Sequence, residues 1–490
     1  MRRAIKPDNE QMRLYSLNPE DWVDQHNPAR FIRELIESMP LEEMGFTDPT
    51  SEEGGSYYPC AVLLKAWVYG YFKGIKTTRS LEDACRNRLD FIWLVGERAP
   101  DHNTLWRFIS RHKDAIKELF VKCVKVGYES GLVGLKLHGV DGTKIRARCS
   151  DRSGLRRKEL QKALLEIESD VKRYIDEVES SHDSDEAACL IPDDLADRQK
   201  LRETILESLA NLDEIDRDYM NPHEPDARKM KTTEGISYGY NAQAVVDETS
   251  GMIVAAEVVN SENDIGQLVP MLEMSRENVG ESCEETVADA GYASGEEFLK
   301  AEEKGIEVLV NLSKHFDPPE DEEHRFHSSR FEYDESRDEF ICPLGARLTF
   351  EREKRSRNKK GKIRIYRCRC HADCPERFNC SKMQRGRTIE YSESHAAVRH
   401  QRIKQKDPSK KKMLGNRFCF VERVFALIKQ HMGFRRWTFY GLDGVRTQWR
   451  MLCIAHNLKQ LYKFWLNGDF VLNKSWQNSD FMLNDTVKER

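Results

Sequence analysis

Two aspartates lie in or at the end of stretches that the sequence predicts to be β-strands. Asp141 follows the run LHGV and precedes a glycine, and Asp289 stands in ADAGY at the end of an apolar stretch. A strand carboxylate with small neighbours is costly to bury unless it is paired or bound to a metal ion. If the two strands converge at one edge of a sheet, both carboxylates offer oxygen ligands that suit Mg²⁺. The alternative for each residue is a cap on the turn after its strand.

A third acid, Glu422, lies near the start of an amphipathic helix. Lys429 follows seven residues later, two helical turns on, so both side chains share one face. Carboxylates can hold two divalent cations about 3.5–4 Å apart, which stabilise the attacking and leaving oxygens of a phosphodiester. Glu422 could instead be a partner of the helix dipole.

The net charge of the 490 residues is −5, but the charge is unevenly distributed. Residues 351–450 carry +19, so the other 390 residues carry −24. A basic block in an acidic chain favours a nucleic-acid partner over a merely solvated surface. Charged residues make up 33% of the chain, and no stretch approaches the ~18–20 apolar residues of a membrane span, which excludes a membrane protein. The polar N-terminal segment lacks the apolar core of a signal peptide, so a cytoplasmic location is expected.

Five of the 13 cysteines are clustered: C-R-C-H-A-D-C-x5-C runs from Cys368 to Cys380, and Cys342 lies upstream. Structural zinc sites commonly use cysteines about two to four residues apart. We predict a zinc site formed by Cys342, Cys370, Cys374 and Cys380. The alternative is a set of free thiols in a basic segment.

Other polar residues have adequate structural roles in this interpretation. Asp247 fits a turn between two strands, and Asp264 fits the N-cap of a helix, so neither is assigned to the metal site. Arg107 and Arg111, beside Trp106, fit a helix-turn-helix surface that contacts DNA. An ordinary helical bundle with solvated basic residues is the alternative.

In four motifs the sequence resembles the bacterial insertion-sequence transposases of the DDE type. The motifs are VDGTK around Asp141, ADAGY around Asp289, Glu-x6-Lys at Glu422, and the run from Gly433 to Lys459. The resemblance implies an α/β fold, with an RNase H-like mixed sheet flanked by helices, an all-α N-terminal domain and two insertions. It also implies that Asp141, Asp289 and Glu422 form a catalytic triad that binds Mg²⁺ or Mn²⁺.

The chain departs from the fuller family signature, Tyr-x2-Arg-x3-Glu-x6-Lys, ahead of the glutamate. Phe418 stands at the arginine position and Gly415 at the tyrosine position. Arg417 lies one residue away and would serve if the helix rotated. The resemblance implies that Lys429 contacts DNA near the element's end, and the other basic residues expected at the DNA are Arg417, Arg435 and Arg436.

The implied function is a transposase that binds the terminal inverted repeats of its element as double-stranded DNA, cleaves them and joins them to target DNA. A synaptic complex pairs two ends, so a homodimer is expected, associated with the nucleoid. Two other functions remain open: a two-metal nuclease that cuts without joining, and a non-catalytic DNA-binding regulator. The expected divisions are a helical, DNA-binding domain at 1–130, a catalytic domain at 131–465 with a helical insertion at 151–230 and a cysteine-rich basic insertion at 316–395, and a polar tail at 466–490.

Overall fold

The computed structural model describes residues 18–468, apart from 50–56, 97, 181–192, 215, 233–234, 313–315, 319–320 and 356–361. Most of the polar tail expected at 466–490 therefore lies outside the described residues. The same holds for the loop between the two charged helices of the expected insertion.

Helices and turns make up the described part of residues 18–129. The helices are α1 (Pro28–Ser38), α2 (Cys60–Phe72), α3 (Thr78–Asn87), α4 (Leu89–Val95), α5 (His102–Arg111) and α6 (Lys113–Glu129). Side-chain caps explain where two of them begin. Asn27 accepts a hydrogen bond from the backbone of α1 and is followed by a proline, and Asp101 accepts two from the backbone of α5. Nearly every residue of α2 from Leu63 onward is buried, so α2 is the central helix of this group.

A charged helical pair follows the long strand β1 (Leu137–Arg146), as expected. The two helices are α7 (Arg157–Ser180) and α8 (Asp193–Glu214). A short strand precedes them, β2 (Leu155–Arg156), and another follows them, β3 (Tyr219–Met220), and these two strands pair with each other. A small hydrophobic core belongs to this pair alone and contains Leu160, Ile167, Ile205, Leu212 and Met220.

A mixed sheet forms the centre of the molecule, which confirms the expected α/β class. The chain continues with β4 (Arg228–Thr232), β5 (Gly235–Asp247), β6 (Ile253–Val259), α9 (Leu268–Val279), β7 (Glu285–Ala288), α10 (Gly295–Glu303) and β8 (Val308–Val310). The strand order is β4-β5-β1-β7-β8, and β6 also pairs with β5. β1 is antiparallel to β5 and parallel to β7, which is parallel to β8. The central position of β1 brings its residues next to both β5 and β7.

The cysteine-rich insertion forms a second, antiparallel sheet with its own core, here called the cysteine-rich module (Phe331–Tyr391). Its elements are β9 (Glu332–Asp334), β10 (Glu339–Ile341), β11 (Arg347–Arg355), β12 (Lys362–Cys368), the short helix α11 (Arg377–Cys380) and β13 (Thr388–Tyr391). The core residues are Phe331, Phe340, Leu348, Tyr366 and Ile389. The module therefore has the hydrophobic core of an independent unit.

The remaining helices return to the central sheet. They are α12 (Glu393–Lys406), α13 (Pro408–Arg417), α14 (Arg423–Ala426) and α15 (Gly441–Leu466), and π-helical turns at Phe418–Glu422 and Leu427–His431 flank α14. α15 is buried along most of its length and packs against α2, α6 and β6. Asn457 fixes α15 to β6 by exchanging two hydrogen bonds of 2.8 Å with the backbone of Ile253.

A single hydrophobic core consequently includes the N-terminal helices, the central sheet and α15, from Val23 to Leu461. The division at residue 130 expected from the sequence does not coincide with a gap in this core, and it stays a prediction. No helix in the described ranges has the length and apolar character that a membrane crossing requires.

Candidate active site

Asp141 and Asp289 lie at the same level of neighbouring strands. In the parallel pairing of β1 with β7, Val140 is opposite Ala288, and each aspartate is the next residue of its chain. Because paired strands are about 4.8 Å apart, the two carboxylates are close enough to interact electrostatically. Asp289 also caps the turn that follows β7, since its Oδ1 accepts a hydrogen bond of 2.9 Å from Gly291 N. Asp141 and Asp289 therefore converge as the sequence led us to expect, and Asp289 also has the alternative role of capping the turn after its strand.

The segment that carries Glu422 packs directly on β1 at Gly139. A Cβ atom at Gly139 would overlap the side chain of Val421 and would approach the Phe420 ring at 2.8 Å. Only glycine therefore permits this approach of helix and strand. Glu422 is 41% exposed, which leaves its carboxylate accessible at the rim of the site.

Arg417 lies between the carboxylates of Asp141 and Glu422. Its Nη1 is 3.4 Å from Asp141 Oδ2, and its Nη2 is 3.8 Å from Glu422 Oε1. The first π-helical turn accounts for the one-residue offset from the family signature, because residues five apart are neighbours in a π-helix, whereas residues four apart are neighbours in an α-helix. The rotation expected from the sequence is thus a π-helical turn, which brings Arg417 beside Glu422.

Lys429 lies on the second π-helical turn and is half-buried. Burial lowers the pKa of Lys429, and the Asp141 carboxylate opposes this by favouring the charged ammonium. Lys429 and Arg417 therefore both act on Asp141 as positive charges.

Burial is the main reason why Asp141 is difficult to ionise. Its side chain is 18% exposed, and this desolvation raises the pKa of Asp141 to about 6 from the ordinary 3.8. Arg417 lowers the pKa, while Asp289 and a further acid, Asp264, raise it. A carboxylate with this pKa is ionised at neutral pH at an energetic cost, which a bound cation would offset.

The prediction that Asp264 caps a helix is wrong. α9 begins at Leu268 and its N-cap is Gln267, so the Asp264 side chain is not used there. Instead, Asp264 Oδ1 accepts hydrogen bonds of 2.7 Å from both Asn241 Nδ2 and Gln243 Nε2. Asp264 is therefore a fourth carboxylate near Asp141 that the sequence interpretation missed.

The sequence of β5 contained a signal that could have identified the hydrogen bonds to Asp264. Asn241 and Gln243 alternate with small and apolar residues in a strand that is otherwise buried, and buried amides require hydrogen-bond partners. The turn role expected for Asp247, by contrast, is present. Asp247 Oδ1 accepts a hydrogen bond of 2.9 Å from Thr249 N, and His138 lies 3.4 Å from Oδ2.

Arg435 and Arg436 follow the second π-helical turn. Arg435 is exposed, whereas the Arg436 guanidinium donates hydrogen bonds to the backbone carbonyls of Ala147, Arg148 and Cys149. Arg436 therefore fixes this loop to the end of β1. On α5, Arg107 and Arg111 are exposed beside Trp106, which is 43% exposed and packs edge-on against Phe439.

The cysteines of the cysteine-rich module meet at one end of its sheet. A cavity of about 30 Å³ is lined by Cys342, Cys368, Cys370, Cys374 and Cys380. Cys342 lies in the turn between β10 and β11, and its Sγ accepts a hydrogen bond of 3.2 Å from Ala346 N. The Sγ atoms of Cys368 and Cys370 are 3.1 Å apart. Cys368, which the sequence interpretation left out, is therefore a fifth thiol at the same cavity.

Neither group of side chains forms a closed set of metal ligands. Within the part of the chain that the structure describes, no three His, Cys, Asp or Glu side chains converge closely enough to hold one ion in common. The carboxylates of Asp141 and Glu422 flank Arg417, and the thiols line the cavity.

Two regions of the chain match the models of known protein families. Residues 17–111 match a transposase domain (DUF772), and residues 341–462 match a transposase DDE domain. Asp141 and Asp289 lie between the two matched ranges, and Glu422 and Lys429 lie within the second. No protein in a search of curated sequences matches the chain.

Both matched regions are similar to transposase domains, and they indicate a transposase. Together they support a DDE transposase of the insertion-sequence type, and the family indicated by the four sequence motifs is confirmed.

Proposed function

We propose that this transposase binds the terminal inverted repeats of its own element, cleaves the DNA there and joins the freed 3′ ends to target DNA. The observation that carries the proposal is the position of Asp141 and Asp289 on neighbouring strands, with the Glu422 segment packed against β1 at Gly139. The RNase H-like core implied by the motifs is supported by the mixed sheet, in which Asp141 lies on the central strand between antiparallel and parallel neighbours.

Asp141, Asp289 and Glu422 would hold Mg²⁺ or Mn²⁺ in this proposal. Their oxygen atoms suit such cations, and the Arg417 guanidinium between Asp141 and Glu422 marks a position where positive charge is stabilised. When bound, these cations stabilise the attacking and leaving oxygens of phosphodiester cleavage. Lys429 would contribute a point-charge contact to a phosphate beside the scissile bond.

Double-stranded DNA would lie along the basic surface that leads to the site. α13, which ends at Arg417, exposes Lys411 and Lys412, and Arg435 is exposed beyond the second π-helical turn. These residues belong to the block with a net charge of +19. The helices before residue 130 would add Arg107 and Arg111 as a second DNA contact. Pairing of two DNA ends would require a homodimer, and the protein would be associated with the nucleoid.

The test uses the purified protein and a DNA fragment that carries the inverted repeats flanking its gene. With Mg²⁺ we expect nicks at the repeat ends, followed by joined products. Asp141→Ala, Asp289→Ala and Glu422→Ala should each abolish cleavage but retain end binding, because carboxylates hold metals and repel phosphates. Cleavage without joined products would instead indicate a two-metal nuclease, and binding without cleavage a regulator.

We further propose a structural zinc ion in the cysteine-rich module, held by Cys342, Cys370, Cys374 and Cys380. The support is their common cavity of about 30 Å³, which is large enough to hold a particle of the size of a water molecule. Ala346 N donates a hydrogen bond to Cys342 Sγ, which holds this sulfur in the turn at the cavity. Cys368 lines the same cavity and could replace one of these four cysteines as a ligand.

A further inference from the structure

The end of the cysteine-rich module that carries the thiols exposes large apolar side chains. Phe378, on α11, is 83% exposed, and Met383, in the turn after α11, is 58% exposed. Leu344 is 40% exposed and lines the same cavity as Arg377, the residue before Phe378. Apolar side chains grouped in this way and rimmed by polar residues mark interaction sites. The Phe378 ring contributes little to the core of the module and is available to a partner.

Positive charge lies in the same segment as Phe378 and Met383. Residues 369–387, here called the thiol-end surface, contain five Lys or Arg and two Asp or Glu, a net charge of +3. Arg369, Lys382 and Arg385 are exposed, and none of them forms an ion pair with another described residue. On the neighbouring strands, by contrast, arginines are paired with acids at 2.8 Å: Arg347 with Glu339 and Arg367 with Glu351. The thiol-end surface therefore offers unneutralised cations to an anionic partner.

Packing and hydrogen bonds attach the thiol-end surface to the module. Cys370, Cys374 and Cys380 line one cavity, so the chain around them is gathered at one end of the sheet. Arg367 Nη1 donates a hydrogen bond of 3.0 Å to the carbonyl of Arg385, which fixes the segment to β12. A surface that is ordered before binding loses less conformational entropy when a partner binds.

We propose that the thiol-end surface binds single-stranded DNA, with the Phe378 ring stacked on a base and the three exposed cations in contact with phosphates. Proteins that bind single strands combine aromatic platforms with a positively charged groove. In a duplex the faces of the bases are covered by their neighbours, so a protruding ring favours unpaired bases. This inference rests on the proposed function, since it assigns a further contact to the DNA on which the transposase acts. The competing occupant is a second copy of the chain packed on Phe378.

The test measures the fluorescence anisotropy of a labelled oligothymidylate, which cannot pair with itself, as the full-length protein is added. Phe378→Ala should weaken binding by about five- to 100-fold, because one stacked base is lost. Phe378→Leu keeps an apolar side chain but no planar ring and should weaken binding as well, whereas Phe378→Trp should retain the affinity of the wild type. Ile236→Ala is the matched control, because Ile236 is 77% exposed on β5, outside the module, and its loss should change nothing.

Substitution of the cations tests the phosphate contacts separately. Lys382→Gln and Arg385→Gln should each reduce the salt slope of oligothymidylate binding by about 0.7. Lys158→Gln removes an exposed cation of α7 and should leave the slope unchanged. Superimposable salt curves for all three variants and the wild type would remove these cations from the DNA contact.

A duplex that carries the inverted repeat separates this inference from the proposed function. If the wild type binds the duplex but not oligothymidylate, or if Phe378→Ala and Phe378→Leu bind both like the wild type, the single-strand site is wrong and the proposed function stands. If the wild type binds neither DNA, the proposed function is wrong as well. Unchanged DNA binding by Phe378→Ala together with a lower mass in analytical ultracentrifugation would identify a second copy of the chain as the occupant and overturn the proposal.

Discussion

Replacing Asp141 by asparagine should stabilise the metal-free protein at neutral pH. The asparagine resembles the protonated aspartic acid and avoids the cost of an ionised carboxylate in a buried position. The pKa of Asp141 is raised from 3.8 to about 6, and each unit corresponds to ~1.4 kcal/mol, so the variant should gain at most about 3 kcal/mol. Because the folded state holds this proton more tightly than the unfolded state, wild-type stability should fall as the pH rises from about 4 to 6 and then level off.

Urea unfolding in EDTA at pH 4, 6 and 8 measures this effect. The difference between variant and wild type should be near zero at pH 4 and largest at pH 8. Mg²⁺ should stabilise the wild type and have little effect on the variant, since the cation relieves the same cost. Asp443→Asn removes a carboxylate that is 75% exposed and should show no such pH dependence. An Asp141→Asn variant that is less stable than the wild type at pH 8 would refute the burial argument.

Three further predictions concern other parts of the molecule. Lys429→Ala should weaken binding to pre-cleaved ends and reduce the salt slope of the affinity by about one unit, and superimposable salt curves would remove Lys429 from the DNA interface. Gly139→Ala should cost about 1–3 kcal/mol in urea unfolding and abolish cleavage, because the added methyl overlaps Val421 and displaces Glu422; normal cleavage would contradict the close packing. The purified protein should contain about one zinc per chain by elemental analysis, and Cys374→Ser should release it and make residues 340–385 protease-sensitive while the remainder stays folded. A metal-free wild type with a protease-resistant module would dismiss the zinc site.

Local patterns were sufficient to predict the elements that carry Asp141 and Asp289. Alternation of apolar and polar residues predicted β1, because side chains of a half-buried strand point alternately to its two faces, and the turn at Asp247 predicted that β5 and β6 are joined there. The charged helices α7 and α8 were predicted in the same way from helical spacing. Each of these features is encoded within a short window of sequence.

Features that depend on distant residues could not be predicted in this way. Asp264 fits the N-cap of a helix locally, and only the fold reveals that Asn241 and Gln243 donate hydrogen bonds to the aspartate. The π-helical turn before Glu422 has no sequence signal of its own, so the offset of Arg417 looked like a departure from the family pattern. Cys368 was omitted because spacing alone cannot tell which of five thiols face the same cavity.

The position of α15 has a consequence for synthesis on the ribosome. Because α15 fills the space between α2, α6 and β6, the core of the N-terminal helices is incomplete until residues 441–466 have been translated. Nascent chains should therefore expose apolar surface over most of translation and depend on chaperones for longer than a chain with separate cores. A stop codon upstream of α15 should yield an aggregating fragment, so truncated copies of the gene should not produce a stable N-terminal domain that competes for the DNA ends.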